Sequence, residues 1–329
     1  MPRDDEPGAP PGSGISAAWA VAIAAVVLLA LLAGLALLRD RESGDQEPAP
    51  PRVASPGPTS VPASPPPTTA PTSAPTPPSP SLSLPASLCP PPMVSAPVTA
   101  LTLNIHGGLG GGGLNLTQIA QEIRTWDPDI VLLQEVDQGR PRTLRQDQAQ
   151  TLERRTGLHA VYGGNQPKSG GGTIGNAILS RHPIVASSNN ALPQAGGREH
   201  RGLLHAVIDI DGLRVSAYSA HWDHGSDVAR RAQARATAAL VEADPRPTIV
   251  GGDLNAVPQS PAYLILRRAG LRDAWRVGEG AGLTVPAHNP RRRIDFLLYG
   301  GGFAPLQSTV LDSAVSDHKA VWSRLEVRT

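Results

Sequence analysis

Cysteine is nearly missing: Cys89 is the only one in 329 residues, so neither a disulfide framework nor a cysteine-ligated metal site can be built. Cys89 also lacks the sequence context of a lipidated cysteine and reads as an inert thiol. No Gly-Lys-Ser/Thr follows the glycine-rich stretches and no G-x-G-x-x-G opens a helix, which removes nucleotide-binding P-loop and dinucleotide folds. The G-x-S-x-G elbow of serine hydrolases and the H-E-x-x-H helix of zinc proteases are absent too. HWDH (221–224) sets two histidines three apart, a weak zinc signal without further ligands. Strong charge of either sign is also lacking. Four of the 29 basic and seven of the 28 acidic residues precede residue 99, leaving the remainder near +4. That is well short of the basic face of a dedicated nucleic-acid binder.

What is present is unevenly spread. Residues 1–14 are a short polar tail, and residues 15–38, ISAAWAVAIAAVVLLALLAGLALL, run uncharged over about the length of a bilayer-spanning helix. The run exceeds a signal-peptide core and meets no small-residue cleavage site before Arg39, so a retained transmembrane anchor is expected. Residues 39–98 form a stalk, almost wholly Pro, Ser, Thr and Ala from residue 46, that cannot bury a core. Every histidine and tyrosine lies beyond it, so the folded part is 99–329, enough for one α/β domain. Arg39 and Arg41 after the span outnumber Arg3 before it, and a strict charge count would put the domain inside. A Pro/Ser/Thr stalk is instead the design of a surface-displayed enzyme. The expectation adopted is a single-pass membrane protein with its domain outside the cell.

Several apolar strands end in polar residues. TALTLNIHGG (99–108) alternates through Leu101 and Leu103 and stops at Asn104. Asn115 then caps a helix in which Ile119, Ile123 and Trp126 recur at helical spacing, and PDIVLLQEV delivers Gln134 and Glu135. LRVSAYSAH (213–221) ends in His221, a helix follows from about Asp227 to Glu242, and PTIVGG carries Asp253 and then Asn255. Each half is a β-α-β unit, and a right-handed crossover makes its strands parallel. Ligands gather at the carboxyl ends of such strands, so Asn104, Glu135, His221 and Asp253 are aimed at one crevice. Asp295 lies within the apolar run RRRIDFLLYG, where an unpaired carboxylate is costly. His318, beside Asp317, is its candidate partner, and such a pair fixes the ring's tautomer and favours its protonated form. GGGTIGNAILSRHPI sets Asn176 just before the strand Ala177–Leu179.

The ordered series TLNIH, LLQEV, GNAILSRHPI, SAHWDH, GGDLNAVP, RRIDFLL and VSDHKAV resembles the endonuclease/exonuclease/phosphatase superfamily, the DNase I-like metal-dependent hydrolases, across 98–329. The resemblance implies an α/β four-layer sandwich, two facing mixed β-sheets flanked by helices. It implies magnesium (or manganese) held by Glu135, with Asn104 and Asp317 completing the metal region. Asp253 would activate water; His318, held by Asp295, and His221 would stabilise the phosphoryl group; Asn255, Asn176 and Arg201 would face substrate. The chemistry implied is one-step, in-line hydrolysis of a phosphoester such as a lipid headgroup, nucleotide or nucleic acid. No obligate protein partner is evident. With aromatics only 3% of the chain, the membrane-inserting aromatic hairpin of sphingomyelinase relatives is not expected. A surface nuclease acting on DNA or RNA is the competing enzyme reading, and a catalytically inactive stalked binding module is the reading from another class.

Overall fold

A computed structural model describes residues 97–327. The tail, anchor and stalk expected at 1–14, 15–38 and 39–96 lie outside the described residues, among which no helix is long and apolar enough to cross a membrane. One sheet is assembled from β1 (Val98–Asn104), β2 (Ile130–Gln138), β3 (His159–Pro167), β4 (Thr173–Ser180), β11 (Phe303–Leu311) and β12 (Ala320–Val327). Its order is β11-β12-β1-β2-β4-β3. The other contains β5 (Ile184–Leu192), β6 (Arg201–Ile210), β7 (Leu213–His221), β8 (Thr248–Asp253), β9 (Arg272–Asp273) and β10 (Asp295–Gly300), in the order β5-β6-β7-β8-β10-β9. Both are mixed. β1 and β2 run parallel, as do β7 and β8, while β4 and β10 join antiparallel, so both expected β-α-β units are present.

Period-two alternation decides which face each residue takes. Ala100, Ile130, Leu132 and Ile178 point between the sheets and meet Ala206, Ala217, Ile249 and Leu297 of the other sheet. Their neighbours Leu101, Leu103, Val131 and Leu133 point outward under α1 (Leu116–Trp126) and α2 (Gln148–Thr156). On the far side Tyr218, Val250, Phe296 and Leu298 pack under α3 (Asp227–Glu242) and α4 (Pro261–Arg268). Four layers follow, helix–sheet–sheet–helix, as expected. One local expectation fails: Asn115 flanks α1 but does not cap it, because its amide donates to the carbonyl of Gly110 at 3.1 Å.

The two glycines of PTIVGGD now have a steric reason. A Cβ on Gly251 would lie 2.5 Å from Leu132 Cδ1 of the facing sheet, so glycine sets how closely the sheets meet there. Gly252 sits at φ +153° with the Ala220 carbonyl oxygen 1.8 Å from where a Cβ would be. Its absence lets β8 pair tightly with β7 just before Asp253.

At the amino end of β8 the chain is pinned by Asp244, whose side chain is 4% exposed. It accepts from Tyr218 Oη at 2.7 Å and from Arg246 Nε at 2.9 Å. Burial alone would raise this carboxyl, but its bonds from Arg246, Ser216 and Tyr218 prevail and hold it well below the ordinary carboxylate value. A depressed folded value means stability that is complete above the unfolded value and is lost as pH falls through the folded one. Asp244→Asn should therefore cost about 2 kcal/mol, the low side for a buried pair because Arg246 is partly exposed. Urea titrations should find that gap constant from about pH 5 to 8 and shrinking below about pH 4; a gap that widens on acidification would contradict this.

Candidate active site

Strand register brings the polar ends together. His221 pairs across from Asp253 in the parallel ladder, and Asp253 pairs across from Asp295 in the antiparallel one. From the opposite sheet, Asn104 at the end of β1 donates its amide to Asp253 Oδ2 at 3.2 Å and to Glu135 Oε1 at 3.2 Å. Glu135 reaches this point through a bulge. The β2–β4 register shifts between Leu133 and Val136, so Gln134 and Glu135 together oppose Asn176, and Glu135 takes φ +54°. Gln134 is thereby left buried, bonded to Thr102 and Ser219 between the sheets, while Glu135 turns into the cleft.

Asp253 is the hub. Its Oδ1 accepts the Asn255 backbone N–H at 2.9 Å. Oδ2 lies 3.5 Å from His221 Nε2 and 3.8 Å from His318 Nε2. His318 Nδ1 in turn donates to Asp295 Oδ2 at 2.9 Å. Burial pulls the His318 imidazole down, but the carboxylates of Asp295 and Asp253 outweigh it and hold the ring up at about 10. His221 is the opposite case: burial, then the cations Arg201, His318 and His224, push it well below the ordinary histidine value. Arg201 Nη1 lies 2.8 Å from His221 Nδ1 and must be the donor, so His221 is neutral and carries its proton on Nε2, facing Asp253. Burial, then Asp295, raises Asp253 to about 7 against the pull of His318 and the Asn255 and Asn104 hydrogen bonds.

The cleft these residues open into has a volume of about 420 Å3, and Glu135, Asp253, Asn255, His221, His318 and Arg201 all line it. Asn255 also anchors itself by donating to the Trp222 carbonyl at 3.1 Å. Asn176 lies elsewhere. It is wholly buried, and its amide donates to the carbonyls of Gly202 and Ser219, tying strands of the second sheet to the bulge. Asp317 is 55% exposed and sits at the rim, 3.4 Å from His106 Nδ1. HWDH does not converge: His224 turns out to Glu199 while His221 turns in. Sequence reading missed His106, although it stands two residues beyond Asn104. It also missed Arg140, Arg142, Gln166, Lys168 and Glu199 of the outer cleft wall, whose local sequence carries no signal beyond charge.

Two places in the site offer metal-binding side chains. Asp253, Asp295 and His318 present ligand-type atoms within 4.8 Å of one another. However, His318 Nδ1 is spent on Asp295 and the ring is protonated, so it does not offer a lone pair. The second place is Glu135 and Asp317, whose oxygens flank a single half-exposed imidazole at 4.0 and 3.4 Å from His106 Nδ1. Carboxylate oxygens without sulfur ligands suit a hard divalent ion such as magnesium or manganese. Asn104 Oδ1 is already occupied by the His106 N–H at 3.0 Å, so this side chain spaces the carboxylates rather than aiming an oxygen at the ion.

A two-sheet sandwich whose strand ends converge on such a cluster is the architecture of a phosphoester hydrolase, and residues 101–318 match the model of the Endonuclease/Exonuclease/phosphatase family. The chain belongs to that family, whose members hydrolyse phosphoesters, typically with a divalent metal. An endonuclease/exonuclease/phosphatase from Beutenbergia cavernae is 28% identical over 70% of this chain and 72% of its own, with a TM-score of 0.60. A mannosyl-6-phosphatase of Bacteroides thetaiotaomicron shares the fold at 18% identity, 69% and 99% coverage and a TM-score of 0.59. The human Nocturnin catalytic domain does so at 19%, 70% and 93%, with 0.56. Protein cwh43 of Schizosaccharomyces pombe is 30% identical over 158 residues, 47% of this chain, and the match spans only 16% of that larger protein.

The opposite protonation of the two histidines is directly measurable. In metal-free protein, imidazole 15N resonances of His318 should stay in the cationic pattern until about pH 10. Asp295→Asn should bring that titration below about 7, since burial then acts with less opposition. A His318 that titrates normally in both proteins would contradict the geometry.

Proposed function

We propose that the chain is a membrane-tethered, divalent-metal-dependent phosphoester hydrolase that cleaves by in-line attack of water on phosphorus. The observation that carries this reading is the buried Asp253 carboxylate, set between a neutral and a cationic imidazole and bonded to Asn104. Asp253 orients the attacking water and takes its proton; burial lifts it toward neutral pH, where a general base is most effective. His318, kept cationic by Asp295, stabilises charge gathering on a non-bridging phosphoryl oxygen. His221 adds a neutral N–H beside Asp253, with its tautomer set by Arg201. Asn255 holds the phosphate from the other side of Asp253, at the mouth of the cleft. A divalent ion seated by Glu135 with Asp317 would supply Lewis-acid stabilisation of the phosphoryl charge. The apolar run at 15–38 favours a substrate at a membrane, with the domain on the outer side. The near-neutral domain, about +4, disfavours a nuclease relying on long phosphate backbones.

The test is phosphate or alcohol release by the full chain from bis(p-nitrophenyl) phosphate, phospholipid vesicles and supercoiled plasmid, with magnesium or with EDTA. Turnover should require the metal, and both Asp253→Asn and Glu135→Gln should lower kcat by at least about a hundredfold. Magnesium-dependent nicking of plasmid without lipid turnover would replace the lipid reading by a nuclease. Undiminished turnover by Asp253→Asn would sink the mechanism.

A further inference from the structure

The cleft is roomier than one phosphoryl group requires, and its charge is lopsided. Glu135, Asp253 and His318 occupy the inner end, while Arg140, Arg142, Lys168 and Arg201 line the outer wall. Only two carboxylates answer these four cations. Glu199 pairs with Arg201, and Asp137 is shared by Arg140 at 3.3 Å and Arg142 at 2.7 Å. Lys168 Nζ has only an amide oxygen, that of Gln166 at 2.6 Å. Burial lowers this ammonium and the crowding by Arg140, Arg201 and Arg142 lowers it further, with only Glu199 opposing. This is positive charge short of a counter-ion.

The wall is fixed rather than incidental. Asp137 has no solvent exposure, and its carboxylate also accepts from Thr143 at 3.3 Å. Its own N–H is held by Gln148 Oε1 at 2.8 Å, and Gln148 reaches the Gly107 carbonyl at 2.6 Å. Gly107, at φ +62°, makes the room: a Cβ there would lie 2.9 Å from Arg142 Nη2. Arg140 Nε and Arg201 Nε are buried with no acceptor among the described residues. Guanidinium groups held in place with donors to spare suit bidentate recognition of a phosphate-type anion.

Building on the reading of the inner cleft as a phosphoester site, we propose that Arg140, Arg142 and Lys168 form a subsite for a second phosphate on the same substrate molecule. The scissile group lies at Asp253 and His318, and the second, unreacted phosphate lies against the outer wall. The natural substrate is then a phosphoester whose polar portion is itself phosphorylated, whether as a lipid headgroup or as a soluble metabolite.

Non-hydrolysable probes test this without relying on turnover. Calorimetry on the full chain in magnesium would compare methylphosphonate with alkyl-1,n-bisphosphonates of increasing methylene length. At least one bisphosphonate should bind about tenfold or more tighter than methylphosphonate. Lys168→Ala should remove most of that advantage; the substitution leaves no buried carboxylate unpaired, and thermal melting checks its fold. Bisphosphonates within about twofold of methylphosphonate, the statistical factor for two equal groups, would overturn the subsite. So would an advantage that survives Lys168→Ala. If neither class binds, the reading of the inner cleft as a phosphate site fails instead. A second arm offers vesicles containing a ring-phosphorylated phosphoinositide and, separately, a water-soluble sugar bisphosphate. Release from the first assigns the anion to a lipid headgroup, release from the second to a soluble molecule. Release from neither overturns the assignment of the subsite to substrate.

Discussion

A carboxylate buried where two sheets meet is expensive, and the architecture of this domain can be understood as what it takes to keep Asp253 there. The cost is met from both sides of the sandwich. β8 supplies the residue, β10 sets Asp295 opposite it, β7 sets His221 beside it, and β1 of the facing sheet sends Asn104 across the gap. None of these strands can slip by one residue without turning its polar end to the wrong face. The hydrophobic layer of Ala100, Leu132, Ile249 and Leu297 that locks the sheets therefore also locks the site.

Two histidines flank that carboxylate and carry opposite charge because each has a different second partner. His318 leans on Asp295, which has no exposure, whereas His221 accepts from Arg201. Identical side chains a few ångströms from one oxygen thus provide one cation and one neutral donor, and the surroundings, not the residue type, make the distinction. The same separation of charge extends along the cleft, acidic at Glu135 and Asp317 and basic at Arg140, Arg142 and Lys168.

Much of this was legible in the sequence. Apolar alternation followed by a helical repeat identified both β-α-β units, since period two and period 3.6 are hard to confuse over such lengths. Asp295 within RRRIDFLLYG demanded a partner on energetic grounds, and His318 lies bonded to it. The bulge was not legible, because LLQEV has the same apolar pattern whether or not an extra residue is inserted. For that reason Asn176, expected toward substrate, lies as a buried tie instead. The outer wall was invisible for another reason: Arg140, Arg142, Lys168 and Glu199 come from separate loops, and only tertiary packing makes them neighbours. Asn115 misled because its amide found nearer carbonyls in the glycine turn than the open end of the helix.

The bulge in β2 divides adjacent residues between incompatible duties. Gln134 laces the sheets together through Thr102 and Ser219, while Glu135 belongs to the cleft. An insertion or deletion anywhere from Leu133 to Val136 would exchange those duties, so this segment has little freedom to change length. The cationic wall, by contrast, stands on loops and strand ends around 140–142, 166–168 and 199–201 that take no part in that lacing. Divergence among relatives of this chain should then be modular: the hydrolytic centre inherited as a block, and the choice of substrate rewritten in the loops around it.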